Sequence, residues 1–364
     1  MKENKGKALF LPGLNGIRAI AAVSVIISHI GLNMKLYGFP NFGGYALASF
    51  GVTMFFALSG FLITYLLLKE KEKTNTIAIS KFYFRRILRI WPLYYFYLLL
   101  ALAVMGFALN QHSWMYFFLL PNVPFSLEAA GVFSATLPHL AHYWSVGVEE
   151  QFYAFWPWLL KKSKKILRVM VVFAIAFFLV KLCLTLFNAP KFISTFFHYT
   201  RFGCLAMGGI AAFLLVNQQK LFLKICTHKI TEISAWGIIL LIAFNRFHLF
   251  SIIDHEIVTA ATLVIIINQI SNSHKIISLE NKVFDYLGKI SYGLYIYNPL
   301  VIYLVSLLLS KVIHEQSVFN MVMIYSITIL SVIVVSHLSY FYFETQFLKF
   351  KDKFAVVKSK SSAS

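Results

Sequence analysis

Apolar runs of about 20 residues recur along the chain, and short polar breaks separate them. Such a run crosses roughly 30 Å of hydrocarbon as an α-helix. Only helices and closed barrels satisfy their backbone hydrogen bonds in lipid. Charged residues make up 13% of the 364 positions, against roughly 25% in an ordinary globular chain. A soluble fold cannot cover so much apolar surface, so the sequence predicts a polytopic helical membrane protein.

The apolar runs predict an all-α transmembrane bundle of about ten helices in one domain, residues 1–348, followed by a short basic tail, residues 349–364. The stretch from Ala8 to Leu32 is too long for a signal-peptide core, so we interpret it as a retained first helix. The predicted spans cover residues 10–32, 47–68, 88–109, 144–160, 168–188, 196–216, 232–248, 252–270, 290–310 and 319–343.

The distribution of lysine and arginine between the spans indicates how the chain is oriented. With a cytosolic N-terminus, 26 of these residues fall in inside breaks and six in outside breaks. The positive-inside rule therefore predicts that both termini are cytosolic. The net charge of +19 follows from this topology, so no nucleic-acid partner is expected. The three cysteines are spaced for neither a zinc site nor a disulfide framework, and no metal site is predicted.

Two ionisable residues, Arg18 and His29, interrupt the apolar first span. Eleven positions are about three helical turns, so both side chains share one face, roughly 16 Å apart along the axis. Placing an arginine at the centre of a membrane helix costs about 2.5–3.5 kcal/mol on insertion scales, so it needs a partner. The alternative is that Arg18 snorkels to the cytosolic edge and His29 reaches water at the outer end.

Two other clusters of charged residues lie at predicted span ends. Arg85, Arg86 and Arg89 precede the third span, as topogenic charges or as guanidinium forks suited to phosphates. Glu149 and Glu150 lie about one turn inside the outer start of the fourth span. We expect Glu149 to meet His29 at similar depth, where a carboxylate fixes the tautomer of an imidazole and raises its basicity. With the arginines on the cytosolic side and His29 and Glu149 near the outer side, the sequence predicts that a polyanionic donor enters from the cytosol and that the acceptor approaches from outside.

Several ordered motifs give the sequence a resemblance to the membrane-bound acyltransferase 3 family, the O-acetylases of bacterial surface polysaccharides. The matching stretches are LNGIRAIAAVSVIISH, FGVTMFFALSGFLI, FRRILRIWPLY, HYWSVGVEEQFY, ISYGLYIYNPL and YFETQFLK. Together they extend over essentially the whole chain. The resemblance implies about ten transmembrane helices, transfer across the membrane, and acetyl-CoA or a similar acyl-CoA as co-substrate with no permanently bound cofactor.

The resemblance also implies roles for individual residues of this chain. His29 would be the catalytic base or acyl relay, Arg18 would share its site, and Glu149 would orient or charge-balance it. Donor binding would fall to Arg86, Arg89, Arg85, Ser59 and Gly60. The residues expected to support the site or lie on the acceptor side are Trp144, Ser145, Glu150, Tyr153, His142, Tyr292, Asn298 and Glu344. Trp144 could stack on a sugar, and Glu344 is expected to pair with a basic neighbour.

One position departs from the family pattern. Relatives commonly carry histidine where this chain has Asn298, and asparagine cannot take a proton at neutral pH. That departure puts a proton-relay role at this position in doubt. His139 and His142 form an HxxH pattern, for which acceptor binding or an interfacial turn is favoured over a metal site.

The leading hypothesis is a membrane O-acyltransferase that moves acetyl onto a hydroxyl of a cell-surface saccharide or glycolipid in a bacterial inner membrane. The expected partners are the lipid bilayer, acyl-CoA, the acceptor and polysaccharide-assembly proteins. A transporter or flippase of a polysaccharide precursor would use the same buried ions, and a structural subunit of an assembly complex is a third reading. Acceptor identity, acyl length and the choice between direct transfer and an acyl-enzyme stay open. No esterase-type domain follows the last predicted span, so we expect direct transfer or completion by a separate protein.

Overall fold

The computed structural model describes residues 11–41, 45–313 and 315–354. Within these residues the chain is built from helices and contains no β-strand. The all-α transmembrane class predicted from the apolar runs is therefore confirmed. Residues 1–10 and most of the predicted tail, 355–364, lie outside the described residues.

The described part of the chain forms sixteen α-helices, numbered α1 to α16. The first eight are Leu14–Leu32, Tyr45–Thr74, Ile79–Val104, Trp114–Phe117, Asn122–Ala129, Tyr143–Lys162, Ile166–Leu186 and Lys191–Thr200. The other eight are Phe202–Val216, Lys220–Cys226, Lys229–Ala243, Asp254–Ser271, Lys282–Lys289, Ser291–Leu309, Val318–Leu338 and Thr345–Lys351. A π-helical turn, Ser339–Glu344, joins the last two. Two short 3-10 helices are Met34–Tyr37 and Asp352–Phe354.

Seven helical segments of the described residues are long and apolar enough to cross a bilayer. They are α1, α2, α3, α7, α8 with α9, α14, and α15 with α16. The bent pair α10–α11, which turns through 56°, brings the number to eight if it is one span. Helices α6 and α12, with 20 and 18 residues, occupy the predicted fourth and eighth positions, but their acidic and amide side chains make them less apolar. The count of ten and the cytosolic placement of both termini stay predictions.

Helix α2 lies in the interior of the bundle, with 78% of its apolar stretch buried, whereas α7 buries only 11% and faces outward. Small residues bring α2 against α9. A Cβ at Gly60 would overlap the carbonyl oxygen of Leu205, and one at Gly208 would overlap that of Ala57. Such close approach of backbones is typical of small residues between membrane helices. This α2–α9 contact fixes the position of the helix from which Ser59 projects.

The two ends of the bundle are named here after the predicted orientation. The outer end is where α1 ends and α2 begins, and the inner end is opposite. At the inner end the buried carboxylate of Glu70 accepts hydrogen bonds from Arg85 Nη2 (3.1 Å) and from the backbone N–H of Ala78 (2.8 Å). Arg85 Nη1 also donates to the carbonyl oxygen of Phe354 (2.9 Å). Arg85 thereby ties together α2, α3 and the last described residues.

At the outer end, residues 105–142 connect α3 to α6 and pack onto the bundle. We call them the outer segment. The hydroxyl groups of Tyr94 and Tyr95 on α3 donate to the carbonyl oxygens of Tyr116 (2.7 Å) and Phe117 (2.9 Å). The carboxylate of Glu128 accepts from the backbone N–H groups of Ala135 and Thr136 at 3.0 and 2.8 Å. These bonds satisfy backbone groups that an irregular segment would otherwise leave unpaired.

Candidate active site

Helix α1 places Arg18 near the inner end of the bundle and His29 near the outer end. Arg18 Nη1 donates to Asn15 Oδ1 at 3.1 Å, one turn earlier on the same helix. Asn15 Nδ2 in turn donates to Asp285 Oδ1 of α13 at 3.4 Å. Arg18 therefore has a polar partner, Asn15, within the bundle, and Asp285 of α13 helps to position that asparagine.

His29 is half-buried, and its Nδ1 lies 2.6 Å from Asn298 Oδ1 on α14. The next residue, Pro299, has no N–H, so the carbonyl oxygen of Tyr295 four positions earlier loses its helical donor. Asn298 Nδ2 supplies the missing hydrogen bond at 2.6 Å and also donates to the carbonyl oxygen of Leu294 at 3.1 Å. Because carbonyl oxygens only accept, the amide nitrogen must face the backbone, and Oδ1 must face His29.

The orientation of Asn298 decides the tautomer of His29. An amide oxygen accepts a hydrogen bond, so the imidazole Nδ1 must carry the proton and donate it. The Nε2 atom is then left with its lone pair. A neutral imidazole with Nε2 unprotonated is the form that can act as a base or a nucleophile.

A cavity of about 130 Å³, the central cavity, lies between α1, α2, α3, α6 and α14. Eight predicted site residues line it, namely Arg18, Ser59, Arg86, Arg89, Ser145, Glu149, Tyr153 and Tyr292. The three arginines lie toward the inner end. At the outer end the hydroxyl groups of Ser145 and Tyr295 are 2.6 Å apart. The backbone carbonyl oxygen of Tyr295 accepts from Asn298 Nδ2, so the His29–Asn298 pair lies one turn of α14 from this lining residue, although neither residue lines the cavity.

Glu149 lies in the central cavity but not beside His29. Its Oε1 accepts from Ser59 Oγ and its Oε2 from the hydroxyl of Tyr153, both at 2.9 Å. The predicted contact between Glu149 and His29 is therefore wrong, because Asn298 takes the place beside the imidazole. The reason is depth: Ser145 stands at the level of Tyr295, and Glu149 is four residues, or about 6 Å, further inward along α6.

Arg86 and Arg89 project from one face of α3 into the central cavity, as their spacing of three predicts. The guanidinium of Arg86 stands over the ring of Tyr153, 5.3 Å from its centroid, and 5.8 Å from that of Phe82. Within the described residues, neither these two arginines nor Arg18 forms an ion pair. The inner part of the cavity is therefore rich in cationic N–H donors, against the one carboxylate of Glu149.

Two predicted donor-binding residues do not line the cavity. Arg85 is one residue out of phase with Arg86 and Arg89 on α3, and its guanidinium is held by Glu70 and Phe354 at the inner end. Gly60 is one step of about 100° around α2 from Ser59 and contacts the backbone of α9. Its lack of a side chain allows two helices to meet and does not serve close approach to a ligand.

Trp144 and His142 are core residues. Trp144 is 6% exposed. Its ring stacks on Phe125 (centroids 5.4 Å apart) and lies 5.2 Å from the guanidinium of Arg201. These neighbours leave no open face for the predicted stacking on a sugar. His142 Nε2 donates to the carbonyl oxygen of Ile296 at 3.1 Å, while its buried Nδ1 has no hydrogen-bond partner among the described residues.

Glu150 and Glu344 flank the cavity without lining it. Glu150 Oε2 accepts from Trp91 Nε1 at 2.9 Å, and its buried Oε1 has no hydrogen-bond partner among the described residues. Glu344 ends the π-helical turn, is 5% exposed, and accepts a long hydrogen bond from Ser339 Oγ at 3.5 Å. The ion pair predicted between Glu344 and a basic neighbour is absent from the described residues.

Sequence reasoning missed two residues that shape the site, Tyr295 and Asn15. Tyr295 lies one turn before Asn298 in the ISYGLYIYNPL stretch, four residues before a proline, which was the available signal. Asn15 precedes Arg18 by one turn of the same helix and thus was in reach of a helical-spacing argument. Among the described residues, no group of three or more histidine, cysteine, aspartate or glutamate side chains is arranged to hold a metal ion.

Comparison with known proteins identifies the family to which the chain is similar. The sequence profile of a family described as "Acyltransferase domain" matches residues 11–341. A protein of Staphylococcus aureus strain COL, provisionally named an O-acetyltransferase, is 30% identical over 96% of this chain. The peptidoglycan O-acetyltransferase OatA of Listeria monocytogenes is 30% identical over 44% of this chain and 27% of its own length.

The chain spans about 60% of the length of the staphylococcal relative. The O-acetyltransferase OatA of Staphylococcus aureus strain NCTC 8325 is 30% identical over 41% of this chain and 24% of its own length. No solved structure is significantly similar to this chain.

Proposed function

The chain belongs to the acyltransferase domain family, and from this premise we propose that it transfers an acetyl group from acetyl-CoA to a hydroxyl group of a cell-surface saccharide. The acceptor class is suggested by a relative whose name specifies peptidoglycan. The bacterial origin of the relatives supports a place in a bacterial cytoplasmic membrane, where the donor is cytosolic and the acceptor is outside.

The inner part of the central cavity is suited to the acyl-CoA donor. Arg86 and Arg89 present guanidinium forks, and Arg18 adds a third from α1. Guanidinium groups bind phosphate oxygens through paired, charge-assisted hydrogen bonds, and acyl-CoA carries several phosphates next to a long uncharged arm. We assign phosphate binding to Arg86 and Arg89. The arm then extends along the cavity and carries the thioester toward the outer end.

His29 is assigned the role of base at the outer end. Nε2 takes the proton of the acceptor hydroxyl as its oxygen attacks the thioester carbon. The new C–O bond forms, the C–S bond breaks, and the departing thiolate takes the proton from the imidazolium. Asn298 Oδ1 keeps the Nδ1–H hydrogen bond throughout, so the ring cannot turn and its positive charge is partly offset. The same lone pair could instead take the acetyl group first, as an acyl-imidazole that the hydroxyl then attacks.

Glu149 is assigned a balancing role. The cavity gathers three guanidinium groups and one carboxylate, and the carboxylate is held by Ser59 and Tyr153 at 2.9 Å each. Arg86 stands over the ring of that same Tyr153. Glu149 therefore acts on the donor end through Tyr153 and Arg86, and not on the imidazole as the sequence had indicated.

One observation carries the proposal: a single cavity joins the arginine cluster to Tyr295, whose backbone carbonyl oxygen binds the same Asn298 that orients the imidazole of His29. The test uses the purified full-length chain in proteoliposomes, with labelled acetyl-CoA on the inner side and soluble glycan strands from peptidoglycan on the outer side. We expect labelled acetyl ester on the strands. Movement of strands across the membrane without use of acetyl-CoA would instead establish the transporter reading.

A further inference from the structure

A second pocket, of about 340 Å³, opens at the outer end and shares no lining residue with the central cavity. We call it the outer pocket. Its polar lining consists of Lys181, Thr185, Ser194, Thr195, His198, Tyr199 and Ser251. Its volume lies in the range of about 300–1,000 Å³ that is typical of small-molecule sites. None of the catalytic assignments above uses it.

The outer pocket lies at the same end of the bundle as His29. Arg201 follows directly after α8, which supplies Thr195, His198 and Tyr199 to the pocket. Its Nη1 donates to the carbonyl oxygen of Ser49 at 2.9 Å and its Nη2 to Ser49 Oγ at 2.7 Å. Ser49 belongs to the first turns of α2, next to the end of α1 that carries His29. A ligand in this pocket is therefore on the acceptor side of the protein.

The polar groups of the outer pocket have unused hydrogen-bonding capacity. The side chains of Thr195, His198, Tyr199 and Ser251 form no hydrogen bond with other described residues. The ammonium group of Lys181 uses two of its three N–H donors, on the carbonyl oxygen of Ile252 (3.0 Å) and on Glu256 Oε1 (2.7 Å). Both donors and acceptors are thus available within one concave site.

The charge of the outer pocket favours a neutral ligand. Lys181 is the one lining residue with a fixed charge among those described, and Glu256 neutralises it. A phosphate or carboxylate would find no uncompensated cation there, in contrast to the arginine end of the central cavity. A saccharide ring carries hydroxyl groups that both donate and accept, which matches the mixture of hydroxyl, imidazole and ammonium groups.

A single layer of rings separates the outer pocket from the central cavity. Tyr199 lines the outer pocket, and its ring meets that of Trp144 with centroids 5.2 Å apart. Trp144 is followed by Ser145, which lines the central cavity and pairs with Tyr295. Trp144 also contacts Phe56, another lining residue of that cavity, with centroids 6.0 Å apart. A saccharide in the outer pocket therefore stands one side chain away from the outer end of the reaction cavity.

We propose that the outer pocket binds the neutral saccharide that accepts the acyl group, with Thr195, His198 and Ser251 bonding its hydroxyl groups. This inference rests on the proposed acetyl transfer and names the place from which the acceptor approaches it. The rings of Tyr199 and Trp144 then separate the bound saccharide from the central cavity, and the reacting hydroxyl group must pass them to reach the thioester.

The test compares three variants in the full chain. Thr195→Val combined with Ser251→Ala removes two bonding groups, and Ser251→Trp fills the pocket. Leu186→Trp, at an exposed position near the same end but outside the pocket lining, is the matched control. The measurements are transfer of labelled acetyl to soluble peptidoglycan strands in proteoliposomes, binding of acetyl-CoA by the purified protein, and acetyl-ester content of surface glycan in a complemented deletion strain.

We expect the double variant to raise KM for the strands at least tenfold and Ser251→Trp to abolish transfer, while both bind acetyl-CoA like the wild type. If both variants transfer acetyl at the wild-type rate, the outer pocket is not the acceptor site, and the proposed function is unaffected. Loss of acetyl-CoA binding in the variants would also overturn the outer pocket as the acceptor site, because the effect would then be structural. Absence of acetylation by the wild type in vesicles and cells alike would instead refute the proposed function.

Discussion

The Nδ1 atom of His29 and the Oδ1 atom of Asn298 lie 2.6 Å apart, and the proline that follows the asparagine determines which way the amide points. Removal of one backbone N–H at position 299 frees a carbonyl oxygen, the amide nitrogen binds it, and the amide oxygen turns toward the imidazole. Helix geometry on α14 thus sets the protonation pattern of a side chain on α1. Asn298 therefore orients the imidazole without itself titrating.

Asn298 is a positioning residue, and its replacement should change the pH dependence of transfer as well as its rate. We expect Asn298→Leu to lower kcat about 10- to 100-fold, by analogy with the loss of the hydrogen-bond partner of a metal-bound histidine. Asn298→Asp keeps the acceptor but adds a negative charge that stabilises the imidazolium. Because the base must be unprotonated, the acid limb of the pH–rate profile should move to higher pH. An unmoved profile in the aspartate variant would exclude direct action on His29.

His29 itself should be indispensable. Loss of a general base typically costs a factor of 10² to 10⁴, and loss of an acyl relay costs more. We expect His29→Gln to insert normally and to lose at least about 99% of acetyl transfer, measured with labelled acetyl-CoA in proteoliposomes. His112→Gln, in the outer segment, is the histidine control. Transfer by His29→Gln at the wild-type rate would remove the proposed mechanism.

Arginine substitutions at the inner end should separate donor binding from folding. Lysine cannot reproduce paired hydrogen bonds to phosphate, so Arg86→Lys and Arg89→Lys should each raise KM for acetyl-CoA roughly 10- to 100-fold, as expected from losing about 1.5–3 kcal/mol. Arg85→Gln should leave that KM unchanged. It should lower the melting temperature instead, since Glu70 is 2% exposed and would lose its ion-pair partner. A rise in KM with Arg85→Gln would return that residue to the donor site.

Glycine substitutions should reveal the close contact between α2 and α9. We expect Gly60→Ala to destabilise the protein by about 1–3 kcal/mol, because the added methyl group overlaps the carbonyl oxygen of Leu205. Gly237→Ala on α11 is the control, since a Cβ there has no atom within 4 Å. Thermal unfolding in detergent compares the two. Equal melting temperatures would mean that the helices can separate without cost.

The outer segment should loosen in acid. Partial burial acts to raise the pKa of Glu128, but hydrogen bonds from Thr136, Ala135 and Ser134 outweigh it and hold the pKa below its usual 4.5. A lowered folded-state pKa adds stability that is full above 4.5 and disappears as the pH falls through the lowered value. The protection of the backbone N–H groups of Ala135 and Thr136 against hydrogen exchange, measured relative to the intrinsic exchange rate at each pH, should therefore fall in that acid range. Glu128→Gln should show less protection than wild type at neutral pH, and its protection should change little on acidification.

The sequence predicted the features that depend on neighbours along the chain. Apolar runs located the membrane helices, and a spacing of three put Arg86 and Arg89 on one face of α3. The motif match located most of the cavity lining. Helices α6 and α12 occupy positions predicted as spans, but their acidic and amide side chains make them less apolar than the other long helices.

What the sequence could not give was the partner of each polar group across the bundle. His29 and Asn298 are 269 positions apart, and depth alone made Glu149 look like the acid beside the imidazole. Arg85 differs from Arg86 by one step of about 100° around α3, which sends it to Glu70 instead of the cavity. Trp144 was expected to stack on a sugar, but Phe125 and Arg201 cover its ring. Each outcome depends on which helices are adjacent.

Ser59 and Gly60 are consecutive, yet one touches the reaction cavity and the other is wedged against the backbone of α9. A helix seated backbone to backbone cannot rotate or slide without a collision, so α2 and α9 should travel as one rigid body. Any movement that opens the cavity to a bulky thioester or releases free CoA must then come from α3 and α6, which line the opposite wall of the cavity. Spectroscopic probes placed on those two helices should report the catalytic cycle, whereas a pair spanning α2 and α9 should stay silent.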